Sequence, residues 1–181
     1  YQPSTICAVA TPAGVGGIAI IRLSGAQSLE IVDKLFRSYR GRNALSSYPL
    51  RQAIYGTLVE EDKLLDEVIA LRYAAPHSYT GEDVVELHCH GSIYVCQSVL
   101  SALLRAGAVM ARPGEFTERA YLNGKMNLSE AEAVADIIHS ETESQHRMAM
   151  TQLRGGYTAE LEQLSSELLR LTALMELELD F

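Results

Sequence analysis

Gly81-Glu82-Asp83-Val84-Val85-Glu86-Leu87-His88-Cys89-His90-Gly91 decides how the rest of the chain must fold. Residues 84–90 alternate with the period of two of a β-strand. Val85, Leu87 and Cys89 go to one face, and Glu86, His88 and His90 to the other. The first face is core. The second holds a carboxylate and two imidazoles, which are costly to bury alone, so the remaining chain is expected to bring partners to them.

Upstream, residues 5–10 and 18–23 are β-rich runs joined by a turn, 11–17, that contains Pro12 and three glycines. The turn carries Gly14-x-Gly16-x-x-Ala19, a partial dinucleotide fingerprint. Ile18, Ile20 and Ile21 predict a strand where that fingerprint needs a helix, and no Gly-Lys-Ser/Thr follows, so a structural turn is expected. Arg22 sits near the end of the second strand, before the Ser24-Gly25 break, and is read at this level as a surface arginine. Residues 28–36 form a short amphipathic helix through Ile31, Val32, Leu35 and Phe36. Residues 37–49 read as a polar connector, and 53–59 and 68–73 as a hairpin around the acidic turn 60–62. Residues 92–106 carry Val95, Val99, Leu100, Leu103 and Leu104 on one helical face and stop at Gly107, before a last short strand, 108–111. The order β-β-α-β-β-β-α-β predicts an α+β unit with helices on one side of a mostly antiparallel sheet.

Beyond Gly114 the pattern turns helical. Residues 115–122 form one helix, Asn123-Gly124 breaks it, and Asn127-x-x-Glu130 and Ser129-x-x-Glu132 are overlapping capping-box candidates for the next. That next helix carries Ala131, Val134, Ala135 and Ile138 as its apolar stripe. From residue 142 onward Tyr157, Leu161, Leu164, Leu168, Leu171 and Met175 recur at the spacing of a bundle seam, weakened at Gly155-Gly156. This segment is expected to pack against something outside the chain given.

At 181 residues and 48% apolar content the chain can bury a core, and its formal charge is -8. Residues 1–110 hold 9 Lys+Arg against 10 Asp+Glu and residues 111–181 hold 6 against 13, so the acidity is C-terminal. That balance excludes a broad basic face for nucleic acid. No apolar run approaches the roughly 20 residues of a membrane span, and the N-terminus has no signal-peptide layout, so a cytoplasmic protein without membrane contact is expected. Cys7, Cys89 and Cys96 lack CxxC spacing, which indicates neither a disulfide framework nor a thiolate zinc site. The missing initiator Met and the ending Leu179-Asp180-Phe181, in mid-pattern, lead us to expect a piece of a longer protein.

A metal is one reading of Glu86, His88 and His90. Residues two apart on a strand stand almost 7 Å from each other, so one ion needs ligands from elsewhere, with His88 and His90 as the alternative pair. Cys89 points to the apolar side and is no candidate nucleophile. The other polar cluster runs from Arg112 to Lys125. Pro113-Gly114 makes a reversal there, and Asn123-Gly124 permits a positive-φ break that presents Lys125. A lysine and an arginine beside a strand-borne carboxylate make a pocket for a ligand with paired N–H donors and its own carboxylates, such as a pterin with a glutamyl tail.

Four separated motifs carry a closer resemblance. They are Thr11-Pro12-x-Gly14-x-Gly16-Gly17-Ile18-Ala19-Ile20-Ile21-Arg22-x-Ser24-Gly25, Thr80-Gly81-Glu82-Asp83-Val84-x-Glu86-x-x-x-His90-Gly91, Arg112-Pro113-Gly114-Glu115-Phe116-Thr117-x-Arg119-Ala120 with Leu122-Asn123-Gly124-Lys125, and Ala131-Glu132-Ala133-x-Ala135-Asp136. In this order they resemble the MnmE (TrmE) tRNA-modification GTPases, with departures at Ala13, Val15, Ser92 and Asn127. The resemblance implies a folate-binding and dimerisation domain of aminomethyltransferase-like fold over residues 1–118, and the start of a helical domain over 119–181. It implies a 5-formyl- or 5,10-methylene-tetrahydrofolate as ligand, with Arg22, Glu86 and Lys125 at the family's folate contacts and no catalytic residue in this part. A G domain with GTP, Mg2+ and K+ sites would follow residue 181. The implied partners are a second copy, the FAD-dependent MnmG (GidA) in a heterotetramer, and tRNA, whose wobble uridine receives an aminomethyl-type group at C5. The alternative is a stand-alone aminomethyltransferase-like folate enzyme.

Overall fold

The computed structural model describes residues 4–179 apart from 40, 42 and 43. The chain divides after Lys125 into two compact units. The first is built on a seven-stranded sheet of order β3-β4-β5-β6-β2-β1-β7. Its strands are β1 (Ile6–Val9), β2 (Ala19–Ser24), β3 (Phe36–Ser38), β4 (Ile54–Glu60), β5 (Lys63–Tyr73), β6 (Val84–Cys89) and β7 (Val109–Met110). All neighbours are antiparallel except β1 and β7.

The strand read first, β6, lies mid-sheet between β5 and β2, in the register that sets Glu86 against Arg22 on one side and Leu71 on the other. Val85, Leu87 and Cys89 are buried in the core. Over that core pack α1 (Ser28–Leu35), through Ile31, Val32 and Leu35, and α2 (Ile93–Arg105), through Val99, Ala102 and Leu103. Each such aliphatic side chain contributes about 1.5–3 kcal/mol of burial, enough to settle which face of β6 is dry. The expected α+β class, with helices on one side of a mostly antiparallel sheet, is the architecture observed.

Three details differ from the sequence reading. Residues 37–49 are not simply a connector: the chain leaves α1 straight into β3, and Leu45 and Tyr48 are buried. β3 runs close over Gly56, where a Cβ would lie 2.5 Å from Arg37 O and 2.6 Å from the Phe36 ring. The β4–β5 hairpin is tighter than expected, with Glu60 paired to Lys63 and a turn of Glu61 (φ 47) and Asp62 (φ 66). Both turn residues adopt left-handed conformations, as a two-residue hairpin loop requires. β6 ends at Cys89, so His90 leaves the strand face shared by Glu86 and His88.

A third helix, α3 (Glu115–Leu122), follows Gly114, whose φ of 76 makes the reversal. The expected boundary at 118/119 falls inside this helix. The units divide instead after Lys125, because Arg119, Asn123 and Lys125 all bond back to the sheet unit.

The second unit holds α4 (Leu128–His139), α5 (Glu143–Leu153) and α6 (Gly156–Leu179). Of the two capping candidates Asn127 wins. Its side chain accepts from Glu130 N at 2.9 Å, and Glu130 Oε2 accepts from Asn127 N at 2.7 Å. A capping box at Thr142 and Gln145, not foreseen, starts α5. Within α4 the buried position is Ala133, whereas Ile138, expected in the stripe, is exposed. Leu161, Leu164, Leu168, Leu171 and Met175 are exposed along α6, and the Tyr157 side chain lies outside the described residues. Among the described residues no helix is long and apolar enough to cross a membrane.

Candidate functional site

Because Arg22 and Glu86 are cross-strand partners, their side chains rise from the same face of the sheet. Arg22 Nε donates to Glu86 Oε1 at 2.9 Å, and Nη2 stands 2.7 Å from the same oxygen. The pair is half-buried, at 25% and 15% side-chain exposure. Both nitrogens converge on one oxygen, so Oε2 keeps its acceptor capacity. Its nearest charged-group partner, His88 Nε2, is 3.9 Å away, beyond a hydrogen bond. His88 Nε2 is itself buried without a hydrogen-bond partner among the described residues. The Arg22 guanidinium lies 5.2 Å from the Tyr79 ring centroid and 5.7 Å from that of Phe116, within the reach of cation–π attraction.

Arg22, Tyr79 and Glu86 line a cavity of about 470 Å³ together with Arg51, Tyr73, His77 and Ser78. Part of its wall is the loop from Ala74 to Asp83. Asp83 Oδ1 accepts from Ala75 N at 2.9 Å, and Ser78 Oγ donates to Glu82 O at 2.6 Å. The segment after α3 holds the same loop from outside. Asn123 Nδ2 donates to Thr80 O at 2.8 Å, and Lys125 Nζ to Pro76 O at 3.0 Å. Lys125 therefore does not line the cavity; it clasps the loop that does. Its chain runs past Gly81, where φ is 77 and a Cβ would lie 3.2 Å from Lys125 Cγ. Of the three residues singled out in the sequence, the structure joins Arg22 to Glu86 directly and Lys125 to their surroundings.

Behind the loop lies a second arginine cluster that no motif signalled as a unit. Arg119 Nη1 donates to Glu82 Oε1 and Oε2 at 3.2 and 3.1 Å, and Nη2 to Glu115 Oε1 and Ser4 O at 3.0 and 2.9 Å. Ser24 Oγ donates to Glu82 Oε2 at 2.7 Å. Burial pushes the Glu115 carboxyl up, but the Arg112 amide and the Arg119 guanidinium outweigh it and hold it below its ordinary value. This cluster fixes α3, and with it Phe116 and Thr117. Thr117 Oγ1 in turn shares a 2.9 Å hydrogen bond with Tyr79 OH.

The remaining candidates resolve otherwise. His90 Nδ1 lies 2.7 Å from Asp66 Oδ1, and this bond raises the imidazole pKa. Among the described residues no group of three or more His, Cys, Asp and Glu could hold a metal. Cys89 is buried, and burial pushes its thiol up to about 12. The glycine turn is closed by Gly16 N donating to Gly91 O at 2.9 Å, and a Cβ on Gly91 would stand 2.5 Å from Gly16 O. A larger depression, about 720 Å³, lies beside the β4–β5 turn, but Arg105 and Glu60 within it are already paired at 2.8 and 2.7 Å.

The fold and site define a class: an α+β domain whose sheet carries a half-open ion pair beneath a clasped loop, followed by an all-α segment. Residues 5–125 match the family described as GTP-binding protein TrmE N-terminus, and residues 128–181 match the MnmE helical domain. The chain belongs to this family. It is similar to the tRNA modification GTPase MnmE of Porphyromonas gingivalis, 59% identical over 100% of this chain and 38% of that protein. It is also similar to the same-named protein of Parabacteroides distasonis, 52% identical over 98% of this chain and 39% of the relative. The chain thus spans less than two-fifths of the length of these relatives.

Proposed function

We propose that this chain is the folate-binding, dimerising and first helical part of a GTPase that modifies the wobble uridine of certain tRNAs. The observation that carries the reading is Glu86, oriented by Arg22 in the wall of a cavity of ligand size, with Oε2 left as a free acceptor among the described residues. Oε2 so placed accepts an N–H bond, of the kind that the amino-pyrimidinone edge of a pterin offers. Arg22 orients Glu86, the Tyr79 and Phe116 rings hold Arg22, and Lys125 holds the wall through Pro76. When bound, a 5-formyl- or 5,10-methylene-tetrahydrofolate supplies the one-carbon unit.

Exposed Ile18, Tyr55 and Ile69, which border one shallow depression, support a second copy as partner. GTP hydrolysis, with its Mg2+ and K+, belongs to a G domain outside these residues, and MnmG (GidA) and tRNA are partners of the whole cytoplasmic protein. Calorimetry with 5-formyltetrahydrofolate tests the reading. Glu86→Ala should weaken binding by about 2 kcal/mol, as loss of a charge-assisted pair does. Failure of the folded protein to bind, or equal binding by the variant, would sink it.

A further inference from the structure

Resting on the folate reading, we propose that Arg51, with His77 in the same cavity wall, forms a carboxylate subsite that takes the glutamate tail of the ligand whose ring is held at Glu86. Arg51 and His77 line the same cavity as Arg22 and Glu86. The charged groups of that lining differ in how they are balanced. Arg22 and Glu86 neutralise each other, whereas the Arg51 guanidinium makes no hydrogen bond or ion pair among the described residues.

That freedom sets Arg51 apart among the described arginines of its unit. Arg37 and Arg72 donate to backbone carbonyls, and Arg105, Arg112 and Arg119 to carboxylates. The backbone adds an independent sign. Arg51 sits at φ 58, a region that an L side chain rarely adopts, held there by its N–H donating to Arg72 O at 3.0 Å. A glycine would reach that conformation at less cost, and strained backbone of this kind gathers at ligand sites. An acceptor and an uncompensated guanidinium in the wall of one cavity complement a molecule with ring N–H donors and a carboxylate-bearing tail.

The test compares ligands that differ only beyond the ring: 6-methyltetrahydropterin, which has no tail, 5-formyltetrahydrofolate with one glutamate, and its triglutamate. Isothermal titration of Arg51→Gln should show about fivefold weaker binding of the glutamate-bearing ligands, as expected for an exposed charged contact, and unchanged binding of the tail-less pterin. Arg51→Lys should restore part of the loss, and the preference for the tail should shrink as salt rises. Equal losses with and without the tail, or no loss with either, overturn the assignment while leaving the ring site standing. If the unsubstituted protein binds none of the three, the folate reading itself falls and this one falls with it.

Discussion

Arg119 and Arg22 are both half-buried or buried arginines paired with glutamates of one short stretch, Glu82 and Glu86, yet their surroundings differ in kind. Arg119 is 8% exposed and meets two carboxylates and a backbone carbonyl, so both its terminal nitrogens are matched. Arg22 spends two nitrogens on a single oxygen, beside aromatic rings, and leaves its partner with an acceptor in hand. A saturated cluster holds structure; an unsaturated one held equally still can receive a ligand. The difference teaches that unfilled valence, more than charge or burial, separates a site from a scaffold.

The largest expected effect tests the scaffold side. Arg119→Leu strands Glu82 and Glu115 without their partner, and unfolding in urea should show a loss of about 3–5 kcal/mol. A loss below about 1 kcal/mol would erase the contrast. Next, Glu82→Gln should destabilise the fold by about 2 kcal/mol more than Glu86→Gln does, since only Glu82 ties α3 and Ser24 together. Similar melting of the two variants would make the sites equivalent.

A pH series sharpens the same point. The Glu115 carboxyl is held low in the fold, so its contribution is present above its ordinary value of 4.5 and disappears as pH falls through the folded pKa, below 4.5. Acid unfolding should therefore steepen below that point in the unsubstituted protein and flatten in Arg119→Leu. An unchanged acid limb in the variant would remove Arg119 as the cause. The smallest effect belongs to Tyr79→Phe. It deletes the hydroxyl bond to Thr117 but keeps the ring over Arg22, and should cost about 0.5–1.5 kcal/mol of stability with folate affinity unchanged.

Much of this was legible in the chain. The period of two in β6 placed Glu86 on the side away from the core, and the β-rich run at 18–23 put Arg22 near the end of a strand. Register brought them into contact, which no spacing within either strand could reveal. Lys125 was found by its turn chemistry, but its role as a clasp depended on where the loop from Ala74 to Asp83 lay. β3 was missed because three residues are too few for a periodic signal, and its trace was a lone glycine, Gly56, on the neighbouring strand. Arg51 and His77 sat in segments without pattern. A left-handed arginine is invisible until φ is known. The expected seam lies within one helix, α6, while residues 143–153 form a helix of their own, whose start signal at Thr142 the leucine spacing obscured.

The closure of the glycine turn has a consequence for how the chain tolerates mutation. At Gly91 any side chain would collide with main-chain atoms of Gly16, whereas a methyl group at Gly16 meets no atom nearer than 3.8 Å and one at Gly17 meets none within 4 Å. In a saturation library scored for folded protein, position 91 should therefore return glycine alone. Positions 16 and 17, adjoining it in the same turn, should accept alanine and serine.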